Sequence, residues 1–188
     1  MEKTTMTEQE KTQNPRSRRE NRRREQTVEN EYTEKIIFVN RVSKTVKGGR
    51  HFGFSVLVCV GDQKGKVGIA IGKAKAVPDA VRKGFDRAKK VMIQVPLNKD
   101  TIAHPYVGKF GSSQVIIKPA APGTGVIAGG AVRAIFEALG VKDVLSKRIG
   151  SKNPVNLAKA TMNALGDMRG VDVVAKQRGI TPSQVIKG

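Results

Sequence analysis

The sequence has little of what metal proteins and most enzymes depend on. Its 188 residues include one cysteine, two histidines and no tryptophan. A single cysteine cannot form an internal disulfide, and Cys59, His51 and His104 do not stand at the spacing of metal ligands. Few acids in the folded part leave little for acid–base catalysis. We therefore expect no metal, no cofactor, no small-molecule substrate and no catalytic residue.

Long apolar runs are also missing. The longest is Val56–Val60, whereas a membrane-spanning helix needs about 18–20 apolar residues. The chain starts Met1-Glu2-Lys3, without the apolar segment of a secretory signal. Together with the lone cysteine, these absences predict a cytoplasmic protein with no membrane partner.

Positive charge is abundant. Against 16 Asp and Glu stand 35 Lys and Arg, for a formal net charge of +19, which indicates a polyanionic partner. Residues 1–34 carry eight basic and eight acidic side chains, residues 35–99 carry 15 and 3, and residues 100–188 carry 12 and 5. The arginine-rich run at 16–24 therefore adds no net charge to its segment. We predict that residues 1–33 form a disordered, mixed-charge tail, with a nucleic-acid arm or a localisation signal as the alternative.

Residues 34–97 show the pattern of a small α+β domain. β-Branched residues from Ile36 lead to a glycine turn, apolar residues alternate from Phe52 to Val60, and a third strand spans 66–72. A helical pattern follows, whose apolar face runs from Val77 to Met92 and includes Val91, and Pro96 stops it. This predicts a three-stranded antiparallel sheet with one helix on one side. We expect Phe52 and Phe54 to share its core face, and Cys59 to be buried as well.

Residues 105–170 predict a small C-terminal α/β domain. Strands are expected at 106–110, 114–118 and 141–149, with a glycine-rich turn at 119–125. One helix is expected from Ile127 to Leu139, stopped by Gly140, and a second after Pro154 with Asn153 or Ser151 as its cap. Residues 171–188 form a basic, weakly helical extension.

The segment Gly123–Ala128 has a formal likeness to a dinucleotide-binding turn. It follows a strand, opens the expected helix and has Asp143 twenty residues after Gly123. Pro119 and Pro122 interrupt the pattern, so we favour a glycine-rich turn whose amides approach phosphates or another chain. A nucleotide-dependent enzyme stays open as the alternative function.

The strongest binding signal is a predicted hairpin tip. Between residues 41 and 52 stand four cations and two adjacent glycines without one acid, a composition that suits contact with a phosphate backbone. Cations after the third strand and the glycine-rich turn are further candidates. The predicted RNA-binding residues are Arg41, Lys44, Lys47, Gly48, Gly49, Arg50, His51, Lys73, Lys75, Gly123 and Thr124.

Three stretches make the sequence recognisable. They are NRVSKTVKGGRHFGFSVLVCVGDQKGKVGIAIGKAKAVPDAVRKG at 40–84, GSSQVIIKPAAPGTGVIAGGAVRAIFEALGVKDVLSK at 111–147 and GSKNPVNLAKAT at 150–161. Together they closely resemble the family of the fifth protein of the bacterial small ribosomal subunit, over residues 35 to 170. The resemblance implies a domain similar to the double-stranded RNA-binding fold, followed by an α/β domain.

The resemblance also implies a structural role on ribosomes. It implies binding of small-subunit ribosomal RNA where the head joins the body, and contact with the fourth and eighth small-subunit proteins. The family's hairpin near the decoding region and the spectinomycin site corresponds to Lys44 and 46–50. The interface with the fourth protein, associated with translational accuracy, corresponds to Gly125, Val126 and Arg133. A binder of double-stranded RNA outside the ribosome remains a third possibility.

Overall fold

Alternating β-branched residues form the first sheet as the sequence predicts. The computed structural model describes residues 32–187, so most of the predicted tail at 1–33 lies outside the described residues. The sheet consists of β1 (Thr33–Val46), β2 (Gly49–Gly61), β3 (Lys66–Ala74) and the short β4 (Ile93–Gln94), in that order and antiparallel throughout. The predicted three strands are confirmed. The pattern missed β4, which is only two residues long.

Helix α1 (Val77–Lys90) packs against this sheet through small residues. Ala80, Gly84 and Ala88 recur every four residues and are buried. A Cβ atom on Gly84 would lie 2.8 Å from Cγ2 of Val58, so glycine permits the close approach of helix and strand. The expected place of Val91 on the apolar face is wrong, because α1 ends at Lys90 and Val91 is 61% exposed.

A short hairpin leads to the second sheet. It pairs β5 (Leu97–Asn98) with β6 (Thr101–Ile102). The second sheet contains β7 (Tyr106–Phe110), β8 (Ser113–Pro119), β9 (Val126–Ile127) and β10 (Val144–Gly150), in the order β7-β8-β10-β9. Only the β9–β10 pair is parallel. The remaining helices are α2 (Gly130–Leu139), α3 (Pro154–Asp167), α4 (Val171–Arg178) and α5 (Pro182–Lys187). The α+β class with a C-terminal α/β part is confirmed.

The predicted helix ends agree with the structure at three of four points. Gly140 ends α2 in the left-handed conformation with φ of +92°, and the side chain of Asn153 caps α3 by accepting from the amide of Val155 at 3.0 Å. Pro154 begins α3 as expected. Helix α2 begins at Gly130 rather than at Ile127, because Ile127 lies in β9 and pairs with Leu145 of β10.

Both faces of the first sheet, not one, are covered around residues 56–60 of β2. Val58 contacts α1 on one face, while Leu57 and Cys59 on the other face belong to the same buried cluster as Phe136 and Leu139 of α2. The expected burial of Cys59 is confirmed, and burial raises the pKa of its thiol to about 12. The cluster runs without a break from the first sheet into the second.

The turn between β2 and β3 fastens the first sheet to α2. The amides of Gln63 and Gly65 donate to the carbonyl oxygens of Ala138 and Leu139, at 3.1 and 3.2 Å. These carbonyls belong to the last turn of α2, where a helix has acceptors without partners of its own. A Cβ on Gly61 would overlap the carbonyl oxygen of Ala138, so this joint requires glycine.

Candidate nucleic-acid interface

The outer half of the β1–β2 hairpin extends beyond the core. Every residue from 38 to 52 is exposed. At the tip, Val46 pairs with Gly49, whose backbone φ of +137° is rarely adopted by residues other than glycine. A Cβ on Gly48 would meet nothing within 4 Å. The predicted Lys47-Gly48-Gly49 tip is therefore exposed backbone beside one cation.

Cations occupy both faces of this hairpin. Lys44 lies opposite His51, and Arg50 lies opposite Thr45 on the other face, because successive side chains alternate along a strand. Within residues 32–187, no ion pair involves Lys44, Lys47 or Arg50. The segment 35–61 contains no acid. The hairpin thus offers positive charge in two directions.

A groove of about 560 Å³ continues this charge at the base of the hairpin. It joins the predicted residues Lys73 and Lys75 to the hairpin and adds Lys83 from α1. Lys83 was not among the predicted site residues, because several cations share the exposed side of α1 and the sequence does not say which of them face the hairpin. The lining residues are Val42, Gly53, Phe54, Lys73, Ala74, Lys75, Asp79 and Lys83.

Phe52 lies in this exposed region, and its expected place in the core is wrong. The residue is 50% exposed. The guanidinium carbon of Arg41 lies 4.1 Å from the centre of its ring, within the range of a cation–π contact. Phe52 has the same alternation as Val56, but at this position neither α1 nor the second sheet covers the strand.

The glycine-rich turn is a separate structure held by Asp143. The amide of Gly125 donates to Asp143 Oδ1 at 2.8 Å, and Asp143 is only 6% exposed. Thr124 Oγ1 donates to the carbonyl oxygen of Ala121 at 2.7 Å, and Gly123 is exposed with φ of +88°. The structure does not bring Gly123 and Thr124 into the basic groove, whose lining residues all fall between 42 and 83.

This geometry argues against a dinucleotide site at the same turn. The acid that would bind a ribose, Asp143, already accepts from Gly125 within the turn. Strand β9 separates the glycines from α2, so the amides of the helix N-terminus do not follow directly on Gly125. The two features on which a dinucleotide fingerprint depends are therefore not assembled.

The predicted protein-interface residues are fixed by two different anchors. Val126 pairs with Val144 of β10, next to Gly125 on its Asp143 anchor. Arg133 is 59% exposed on α2 and donates through Nε to Glu137 Oε1 at 2.8 Å. Glu137 also pairs with Lys35. Hydrogen bonds from Lys35 and Arg133 hold the pKa of the Glu137 carboxyl below its ordinary value.

Two other kinds of site are absent from the part of the chain that the structure describes. There, no three His, Cys, Asp or Glu side chains are grouped so that they could hold a metal ion. No helix among residues 32–187 is both long enough and apolar enough to cross a membrane.

Known proteins resemble this chain over most of its length. The family model of the ribosomal protein S5 N-terminal domain matches residues 32–96, and that of the S5 C-terminal domain matches residues 108–178. The small ribosomal subunit protein uS5 of Chloroflexus aurantiacus is 53% identical over 157 residues, which cover 84% of this chain and 88% of the relative.

Two further relatives carry the same name. The protein from Syntrophobacter fumaroxidans is 54% identical over 146 residues, which cover 78% of this chain and 88% of the relative. The protein from Legionella pneumophila is 52% identical over 157 residues, which cover 84% of this chain and 94% of the relative. The chain therefore belongs to the ribosomal protein S5 family, uS5, and is a structural, non-enzymatic constituent of the small ribosomal subunit.

Proposed function

We propose that the chain binds small-subunit ribosomal RNA through one continuous basic surface. This surface comprises the hairpin cations, the exposed glycine tip and the groove at the hairpin base. The observation that carries the proposal is the acid-free hairpin, exposed from residue 38 to 52, which leads into a groove with three lysines. The members of the basic surface are Arg41, Lys44, Lys47, Gly48, Gly49, Arg50, His51, Lys73, Lys75 and Lys83.

The mechanism follows from charge and shape. Lysine and arginine neutralise phosphates and release counterions, so affinity falls as salt rises. Gly48 has open space where a side chain would stand, which lets RNA backbone approach the peptide chain closely. These contacts position the protein on folded RNA without reading the base sequence.

Gly123 and Thr124 form a second RNA contact in this proposal. A Cβ on Gly123 would meet nothing within 4 Å, so a phosphate can approach its backbone. The Asp143 anchor keeps the turn in one conformation before RNA arrives. Such pre-ordering lowers the entropy that binding must overcome.

The proposal also covers protein partners and the place in the subunit. We assign Gly125, Val126 and Arg133 to the contact with the fourth small-subunit protein, and a further contact to the eighth. What supports the first assignment is the exposure of Arg133 and its fixed position beside Glu137. The family resemblance supports a location at the junction of head and body and a role in translational accuracy.

The test of RNA binding is a pair of double variants with equal charge change. K47A/R50A removes two hairpin cations, and K64A/K66A removes two exposed cations at the opposite turn. We expect K47A/R50A to lower the slope of log affinity against log salt by roughly 0.7–0.9 for each phosphate that is no longer neutralised. Equal effects of the two pairs, with both variants folded, would contradict the hairpin surface.

Binding outside the ribosome is tested by sedimentation. The chain in cell extracts is expected to sediment with small subunits at low salt. Its recovery mainly in ribosome-free fractions would favour a free-standing double-stranded RNA binder.

A further inference from the structure

We propose that Arg41 and Phe52 form a stacking platform for one unpaired nucleobase. This inference rests on the proposed RNA binding and adds a base contact to a surface otherwise assigned to phosphates. The ligand is defined by its chemistry as a flat, aromatic base with one face open. Bases inside an A-form helix have both faces stacked, so the platform selects a loop, bulge or end of the RNA.

The platform is formed by a diagonal pair across the hairpin. Arg41 on β1 lies opposite Phe54, and its side chain reaches to Phe52, which lies opposite Ser43. The guanidinium carbon stands 4.1 Å from the ring centre. A guanidinium at this height covers one face of the ring and presents its own outer side to solvent. The ring of Phe52 thus packs against one side of the Arg41 guanidinium.

The exposure of Phe52 requires an explanation that packing does not supply. The residue is 50% exposed, whereas Val56 and Val58 on the same face of β2 are completely buried. An exposed ring at this position can support the flat side chain of Arg41, and a base on the outer side of Arg41 would extend the same stack. Arginine on an aromatic ring is also a suitable surface for a base, because both are flat and stack face to face.

The platform adjoins the basic groove. Phe54 lines that groove, and Phe52 precedes it by two positions on the same face of β2, about 7 Å away at the rise of a β-strand. Lys73, Lys75 and Lys83 in the groove would hold the phosphates of the same RNA segment. A strand bound there can therefore place one base on the outer side of Arg41.

The experiment measures binding of the full chain to deproteinised small-subunit ribosomal RNA over a range of salt. F52L removes the ring but keeps an apolar side chain, F52Y keeps the ring, and R41K keeps the charge but loses the flat guanidinium. We expect F52L and R41K to weaken binding by about 5- to 150-fold, the range of one base stack, with the salt slope unchanged. The affinity of F52Y should stay within about threefold of the wild-type affinity, which corresponds to about 0.7 kcal/mol because a tenfold change corresponds to about 1.4 kcal/mol.

The outcomes separate this inference from the proposed function. Wild-type affinity that does not change with salt would overturn phosphate binding itself, whatever Phe52 does. Salt-dependent binding with F52L within twofold of the wild type would overturn the platform alone. A lower melting temperature of F52L with unchanged affinity would also overturn it, since the ring would then only support the hairpin.

Discussion

Lys35 on β1 and Glu137 on α2 form an ion pair across 102 residues of sequence. The same carboxylate accepts from Nε of Arg133, so one acid connects the first sheet to the cation assigned to a protein interface. The position of Arg133 on α2 thus depends on a strand of the first sheet.

Replacing Glu137 by Gln should weaken the joint between the first sheet and α2 and reduce its response to acid. Because the partners lower the folded pKa of Glu137, its contribution is present above the unfolded pKa and lost as pH falls through the folded one. The wild-type advantage over E137Q should therefore shrink below about pH 4.3. Urea unfolding at pH 7 and at pH 3 measures it.

D100N is the matched control for this prediction. Asp100 pairs with Lys142 at 2.9 Å, but both side chains are more than half exposed. Such exposed pairs contribute about 0–1 kcal/mol, so D100N should change stability little. Equal losses in E137Q and D100N at neutral pH would show that Glu137 is an ordinary surface acid.

Adding one methyl group at Gly61 should separate the first sheet from α2. A Cβ there overlaps the carbonyl oxygen of Ala138, so G61A must displace α2 or the strand. We expect a loss of about 1–3 kcal/mol or more in the free energy of unfolding. G48A is the control, since nothing lies within 4 Å of that position, and it should stay within about 0.5 kcal/mol of the wild type. A G61A variant with the wild-type free energy of unfolding would contradict the close contact between Gly61 and Ala138.

Asp143 should be needed for the conformation of the glycine-rich turn. D143A leaves the amide of Gly125 without its acceptor and should cost about 1–3 kcal/mol in urea unfolding. D143N retains a side-chain oxygen that can accept and should lose less. If both variants are as stable as the wild type, the carboxylate does not hold the turn. Amide exchange at Gly125 provides a local reading of the same effect.

The thiol of Cys59 should be inert in the folded protein. It is fully buried with a pKa of about 12, so a thiol reagent at pH 8 should react only after unfolding, when the pKa returns to about 8.5. Because the folded pKa is raised, the unfolded chain loses its proton first as pH rises. Wild-type stability should then fall relative to C59V by about 1.4 kcal/mol for each pH unit above 8.5. Rapid labelling of the folded protein would contradict this placement.

The elements of the fold could be read from the sequence because their signals are local. Alternation from Phe52 to Val60, the glycine pairs and Pro154 each act within a few residues, and the strands and the α3 cap formed where they indicated. Strand β9 was missed because its existence depends on a partner strand. Val126 and Ile127 pair with residues that follow 18 positions later.

The sequence did not allow us to predict where along β2 the buried residues end and the exposed ones begin. Phe52 and Val56 share one alternation, but only Val56 is covered by the helix, so the hairpin's exposed length depends on where α1 begins. The groove shows the same limit. Lys83 comes 32 residues after His51 and joins the basic surface only through packing of α1 on the sheet.

The joint between Gly61 and Ala138 has a consequence for synthesis of the chain. The first sheet leaves the translating ribosome before α2 exists, with the face that carries Leu57 and Cys59 uncovered. At about 5–20 residues per second, the roughly 80 residues from Cys59 to the end of α2 take about 4–16 s. During those seconds the nascent chain presents an apolar sheet face and an accessible thiol. Chaperones and oxidants therefore meet this protein in a form that the finished fold conceals.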